Sequence, residues 1–126
     1  GAHGASATVA AVISRDLEVK ALVKANPVMV FSKSVCPHCK KAKALLNSLG
    51  VAYEKLELDT CADPPGYVSA LIGMTNQKTV PNIFIGGVSI GGNDALQALH
   101  AEGKLVPRLE EAGVVVGDLE VGGAVL

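Results

Sequence analysis

The order of elements read along the chain, α-β-α-β-α-β-β-α-α, predicts an α/β fold of three layers, α/β/α, with a four-stranded mixed sheet between helices. Three observations carry it. Short apolar runs at Val28–Phe31 and Val51–Leu58 alternate with segments of helical periodicity. Gly86-Gly87 separates two further short runs, Asn82–Ile85 and Val88–Ile90, at the spacing of a two-residue hairpin turn. The 126 residues, 49% of them hydrophobic, with a mean hydropathy of +0.38, suit one folded domain.

The elements follow in order. Residues 1–13 read as a flexible N-terminal segment, residues 14–112 as the folded domain and residues 113–126 as a C-terminal tail. Gly1–Ala7 reads as small and flexible, fitting either an expression remnant or the stub of a targeting segment. It lacks the charged start and apolar length of a secretory signal. Ser14 is placed to cap a first helix in which Asp16 and Glu18 suit the opening turns and Ile13, Leu17 and Ala21 form one face. Asn26-Pro27 ends it. Val28-Met29-Val30-Phe31 follows as a buried strand. Ala42, Leu45, Leu46 and Leu49 recur at helical spacing, with Pro37 at the start and Gly50 as the stop. Val51–Leu58 reads as a strand whose apolar parity shifts between Tyr53 and Leu56, as in a central strand covered on both faces. Asp63-Pro64-Pro65 opens a third helix with Val68, Leu71 and Ile72 inward, ending near Gly73. After the hairpin come helical patterns at Asn93–His100 and Lys104–Ala112, separated by Gly103.

The chemistry centres on Cys36-Pro37-His38-Cys39. Its place between a strand and a helix makes Cys36 the N-cap, where unpaired backbone N–H groups and the positive end of the helix dipole favour thiolate over thiol. Lys33, Lys40, Lys41 and Lys43 crowd the same stretch with no acid between Ser32 and Tyr53. They form either a positive field for a thiolate and an anionic partner or a solvated helix face. Two thiols at this spacing are also half of a zinc site. The remaining Cys61, His3, His38 and His100 form no second close pair, so no metal is expected. Three cysteines make no disulfide framework, which favours a reducing compartment: the cytoplasm, or an organelle stroma or matrix after removal of a targeting segment. A net charge of −1 gives no drive toward nucleic acid or membranes, and apolar stretches such as Ala7–Ile13 are too short to span a bilayer.

Three motifs, Phe31-Ser32-Lys33-Ser34-Val35-Cys36-Pro37-His38-Cys39, Thr79-Val80-Pro81-Asn82-Ile83-Phe84-Ile85-Gly86-Gly87 and Ile90-Gly91-Gly92-Asn93-Asp94, resemble in order and spacing those of the dithiol glutaredoxins, the glutathione-using branch of the thioredoxin fold. The resemblance spans about Ser14 to Ala112. A thioredoxin proper would carry Trp-Cys-Gly-Pro-Cys, and this chain has no Trp. The resemblance implies a monomeric thioredoxin-like protein that uses glutathione as co-substrate and acts on glutathionylated or disulfide-containing proteins. Cys36 would be the nucleophile that takes the glutathionyl group, and Cys39 the resolving thiol used on protein disulfides. Lys33 and Gln77 would engage the glycyl carboxylate of glutathione, with Lys78 near a position where Arg is common. His38, Thr79 and Val80 would line the groove, Val80 would pair its backbone with the cysteinyl part, and Pro81 would be cis. Gly91-Gly92 would admit the ligand closely, and Gly92, Asn93 and Asp94 would hold the γ-glutamyl end at a helix N-terminus; Asn93 and Asp94 as simple helix caps are the plainer alternative.

The chain departs from the family pattern twice. Ala95 stands where an Asp is usual, which leaves Asp94 to replace that contact from one residue earlier. His38 stands where Tyr is frequent; as a cation it would help to hold the Cys36 thiolate, with the help fading as pH rises, whereas otherwise it is an exposed spacer. Cys61, outside the motifs, is either packed or a regulatory thiol. Two other functions fit less of the sequence. One is carriage of a [2Fe–2S] cluster by Cys36 thiolates and glutathione, against which Pro37 counts, since cluster-assembling relatives usually carry Gly or Ser there. The other is a non-catalytic metal-binding module.

Overall fold

The computed structural model describes residues 15–117, in which four strands form one sheet in the order β2-β1-β3-β4. Helix α1 runs through residues 15–25. It is followed by β1 (Val28–Ser32), α2 (Pro37–Ser48), β2 (Glu54–Glu57), α3 (Pro64–Thr75), β3 (Asn82–Ile85), β4 (Val88–Gly91), α4 (Asn93–Ala101) and α5 (Leu105–Glu111). β1 pairs parallel to β2, with Met29 opposite Glu54 and Ser32 opposite Glu57. It pairs antiparallel to β3, with Val28 opposite Ile85 and Phe31 opposite Asn82, and β3 pairs antiparallel to β4. The sheet is therefore mixed, and the expected three-layer, thioredoxin-like α/β fold is the one present.

Strand alternation builds two cores. Val28 and Val30 of β1, with Ile83 and Ile85 of β3, pack under Ala42 and Leu46 of α2, Leu96 of α4 and Leu105 and Leu109 of α5. Met29, Phe31 and Phe84 point the other way, onto Val19 and Val23 of α1 and Tyr67 and Leu71 of α3. Phe31 and Phe84 meet edge to face at 5.7 Å between ring centres. Because both faces are covered, β1 and β3 are buried at every position and read in sequence as continuous apolar runs.

Several elements differ from expectation. Helix α1 turns Val19 and Val23 inward and leaves the Leu17 and Ala21 stripe outside, Leu17 being 58% exposed. The wider Val19–Leu22–Val23 stripe wins the burial, and Arg15 fixes the rotation by donating to Glu18 and to Asp63 at the start of α3 while lying over the Tyr67 ring. Ser14 and Ile13 lie outside the described residues. β2 is shorter than Val51–Leu58 and is an edge strand rather than a central one. Val51 is spent on the end of α2, where its N–H reaches Leu46 O and that of Gly50, at φ 65°, reaches Asn47 O. The shifted parity thus belongs to an edge whose Glu54 and Lys55 face water, a composition that discourages edge-to-edge pairing. α3 passes through Gly73 to Thr75 and stops at Asn76, left-handed at φ 61°. Beyond α5, Val114 and Val116 pack against the first core and the Gly117 N–H bonds to Gly50 O; the rest of the expected tail lies outside the described residues.

Candidate functional site

The two thiols occupy opposite environments at one helix start. Cys36 is the N-cap of α2 with extended backbone, Pro37 opens the helix, and the Cys36 sulfur accepts from the Cys39 N–H at 3.3 Å. Cys36 is half-buried, whereas Cys39, a turn deeper, is fully buried. Burial pushes the Cys36 thiol up, but donation from the Cys39 thiol, the backbone N–H groups of Cys39 and His38, and the charge of Lys33 together bring it below the ordinary thiol range. His38 contributes here through its backbone N–H, and its side chain is exposed. Burial and the bond to Cys36 push Cys39 up to about 11. Cys36 is thus equipped as the attacking thiolate and Cys39 as a held-back thiol.

The loop between β1 and α2 is fastened from β2's end. Asp59 accepts from the Ser34 backbone N–H at 3.1 Å and from its hydroxyl at 2.5 Å, and the Cys36 N–H turns back to Lys33 O. The lysines do not act as one patch. Lys33, Lys40 and Lys41 are exposed, while Lys43 turns inward onto Glu57.

Facing Cys36 is the Thr79–Pro81 turn. The Val80–Pro81 peptide is cis, as expected, and the Cys36 thiol lies 3.9 Å from Val80 O. Gln77 spends its side-chain nitrogen on this turn, donating to Thr79 O at 2.9 Å and Pro81 O at 2.8 Å. Asn82, buried at the start of β3, donates to Thr75 Oγ1 and accepts from Ser89, tying the turn to α3 and β4. Gly91, at φ 105°, and Gly92 then bring the chain against Pro81, and a Cβ on Gly92 would stand 3.3 Å from Pro81 O. Gly92 is the N-cap of α4. Asn93, at the first helical position, is buried and accepts from Gln97, so neither Asn93 nor Asp94 caps the helix.

Two open clefts meet at this turn. One, of about 330 Å³, is walled by Leu58, Val68, Leu71 and Ile72 with Lys33 and Lys78 at its rim. The other, of about 470 Å³, is lined by His38, Pro81, Gly92, Asn93, Asp94 and Ala95. Gln77, Thr79 and Val80 belong to both. The nine residues singled out as glutathione-binding all line one or other of these clefts, which share Val80, the residue whose carbonyl lies beside the Cys36 thiol. The apolar wall of the first cleft, Asp59 and the inward Lys43–Glu57 pair had no sequence signal, since each depends on α3 and β2 closing over the loop. Among the described residues, no group of three or more His, Cys, Asp or Glu side chains is placed to hold a metal ion.

The glutaredoxin family model matches residues 28–90, which include both thiols, the cis-proline turn and the hairpin. A glutaredoxin of Ricinus communis is 51% identical over 98 residues, covering 78% of this chain and 96% of that protein. The chain belongs to the glutaredoxin family. Glutaredoxin-C2 of Arabidopsis thaliana is 49% identical over 100 residues, covering 79% of this chain and 90% of that protein. Among solved structures, a buckwheat glutaredoxin–glutathione complex superposes with a TM-score of 0.80 at 43% identity, covering 82% of this chain and 94% of that one. As a glutaredoxin, the chain has the family's general chemistry, thiol redox exchange.

Proposed function

We propose that this glutaredoxin is a glutathione-dependent thiol–disulfide oxidoreductase of the dithiol type, acting on protein–glutathione mixed disulfides and on protein disulfides. One observation carries the reading: a half-buried Cys36 sulfur, favoured as thiolate, stands beside Val80 at the meeting of two clefts, with Cys39 buried behind it. The resemblance to a buckwheat glutaredoxin complexed with glutathione supports that ligand. In this reading the Cys36 thiolate attacks the glutathione sulfur of the mixed disulfide. A Cys36–glutathione bond forms, the protein sulfur leaves with the electron pair, and it takes a proton from water. Free glutathione thiolate then attacks the bound glutathione sulfur, releasing glutathione disulfide and restoring the Cys36 thiolate.

In this reading the work of binding is divided among the residues around the clefts. Lys33 and Lys78, at the rim of the first cleft, offer charge for the glycyl carboxylate. Gln77 contributes by fixing the Thr79 and Pro81 carbonyls, because its side-chain nitrogen is already engaged. The start of α4 presents backbone N–H groups to the γ-glutamyl carboxylate, and exposed Asp94 replaces, in contacting the α-amino group, the Asp usual at the position of Ala95. A reducing compartment, in which glutathione returns both thiols, is the setting for this chemistry.

The test is glutathione-dependent reduction of a glutathionylated peptide by Cys39→Ser and by Cys36→Ser. Cys39→Ser is expected to retain turnover and Cys36→Ser to lose it. Turnover by Cys36→Ser, or by the unaltered protein without glutathione, would refute the reading.

A further inference from the structure

Behind the site, three polar side chains meet where α2, β1 and β2 join. Lys43 lies four residues beyond Cys39 on α2, the spacing that puts two side chains on one helix face. Its ammonium donates to Glu57 Oε1 at 2.5 Å, and the two side chains are only 13% and 16% exposed. The second Glu57 oxygen accepts at 2.6 Å from the hydroxyl of Ser32, which is fully buried. Ser32 and Glu57 are partners in the parallel register, so the sheet itself sets their approach. Lys55 nears the same Glu57 oxygen from the solvent side at 3.7 Å. An ion pair drawn this far out of water gains little net stability, because desolvation offsets the attraction. Its place, one helical turn from the buried thiol, suggests a different use.

Charged and titratable groups approach Cys39 from several elements. On α2 these are Cys36 and Lys43; the loop after β1 brings the Lys33 backbone; β2 brings Glu57, paired with Lys43. α4, which packs on α2, carries Asp94 and His100, both exposed. Of the cations, Lys43 is the one held in place by a buried framework, and its charge works against the upward push of burial on Cys39.

We propose that Lys43, pinned by Glu57 and Ser32, is a positioning residue for the resolving step, its fixed ammonium favouring the Cys39 thiolate and so speeding reduction of protein disulfides. The inference rests on the oxidoreductase reading above. In that step Cys39, its proton given to water, attacks the Cys36 sulfur of a Cys36–protein mixed disulfide. The Cys36–Cys39 bond forms, the bond to the protein sulfur breaks, and the departing sulfur keeps the electron pair and takes a proton from water. The dithiol loses two electrons to the protein disulfide, and two molecules of glutathione, oxidised to one glutathione disulfide, return them. A glutathionylated substrate needs Cys36 alone, so the two reactions separate the effect.

The test first makes Cys39 the only thiol, by Cys36→Ser and Cys61→Ser in the full chain, and follows thiolate ultraviolet absorbance against pH. Adding Lys43→Met, or Lys43→Gln, which retains a donor for Glu57, is expected to move the midpoint upward, and Lys43→Arg to restore it. With all cysteines present, Lys43→Gln is expected to slow protein-disulfide reduction by about three- to tenfold relative to reduction of a glutathionylated peptide, the range for a partly screened charge one turn away. Unmoved titration in folded Lys43→Gln, or an unchanged ratio of the two rates, would overturn the inference. An unaltered protein that reduces neither substrate with glutathione would instead overturn the oxidoreductase reading, and the titration would still decide what Lys43 does to Cys39.

Discussion

The asymmetry of the two thiols makes Cys39→Ala and Cys39→Ser unequal, although each removes the Cys39 sulfur. In the native site the Cys39 side chain donates to the Cys36 sulfur, alongside the backbone N–H groups of Cys39 and His38. Serine keeps a donor near that place; alanine keeps only the backbone. A hydrogen bond to a charged group contributes about 1.5–3 kcal/mol. Cys36 is half-buried, so water recovers part of the loss, and the low end applies. About 1.4 kcal/mol is a factor of ten, so at a pH below both midpoints Cys39→Ala is expected to hold roughly tenfold less Cys36 thiolate than Cys39→Ser. Each remaining thiolate is more basic and, for a Brønsted slope of about 0.4–0.5, about threefold more nucleophilic. The net expectation is reduction of a glutathionylated peptide about threefold slower in Cys39→Ala. Thiolate absorbance against pH, with Cys61→Ser in both variants so that only Cys36 titrates, measures the first quantity, and turnover at the same pH the second. Superposable titration curves would refute the reasoning, leaving the backbone N–H groups and Lys33 to carry the whole effect.

Two further outcomes follow from the packing. Ser32→Ala removes a buried donor to Glu57, whose carboxyl is pushed up by burial but held below its usual range overall by Lys43 and Ser32, and is expected to cost about 1.5 kcal/mol at neutral pH. A carboxyl held low in the folded chain stabilises above its unfolded range and ceases to do so as pH falls through its folded value, so the gap between Ser32→Ala and the unaltered protein should close in acid; urea unfolding with an equal gap at both pH values would count against it. Gly50→Ala would place a Cβ 1.6 Å from Gly117 O at a residue with φ +65°, and is expected to cost about 1–3 kcal/mol and to raise amide exchange at Val114 and Val116. Unchanged melting and exchange would show that the contact at Gly117 does not hold the segment.

The fold was legible wherever one local rule decided the outcome. Pro37 behind Cys36, Gly50 at the end of α2 and Gly86-Gly87 in the hairpin each demand one backbone state, and each appears in it. Misreadings occur where tertiary partners decide. Nothing local to Leu17 and Ala21 says that Arg15 will reach Asp63 across the α1–α3 seam. Nothing in Val51 says that its N–H will close α2 rather than extend β2. The candidate site follows the same division. Cys36, Cys39 and Pro81 stand in motifs, whereas the clasp of Asp59 on Ser34 and the turn of Gln77 onto its own loop arise from sequence-distant or competing partners.

Two thiols at one helix start can serve different steps only if their surroundings differ, and the chain produces that difference with one turn of helix. The N-cap position gives Cys36 donors and solvent; three residues on, the same helix carries Cys39 under the sheet, where its thiolate costs most. Under the proposed reaction, such an arrangement favours capture of a glutathionyl group over closure of the Cys36–Cys39 disulfide unless something lowers the cost at Cys39. An inward Lys43, fixed by two strands, is a group on that side able to do so. On the proposed reading, a change at Lys43 is expected to shift the balance between the two reactions while leaving in place every residue proposed to bind glutathione.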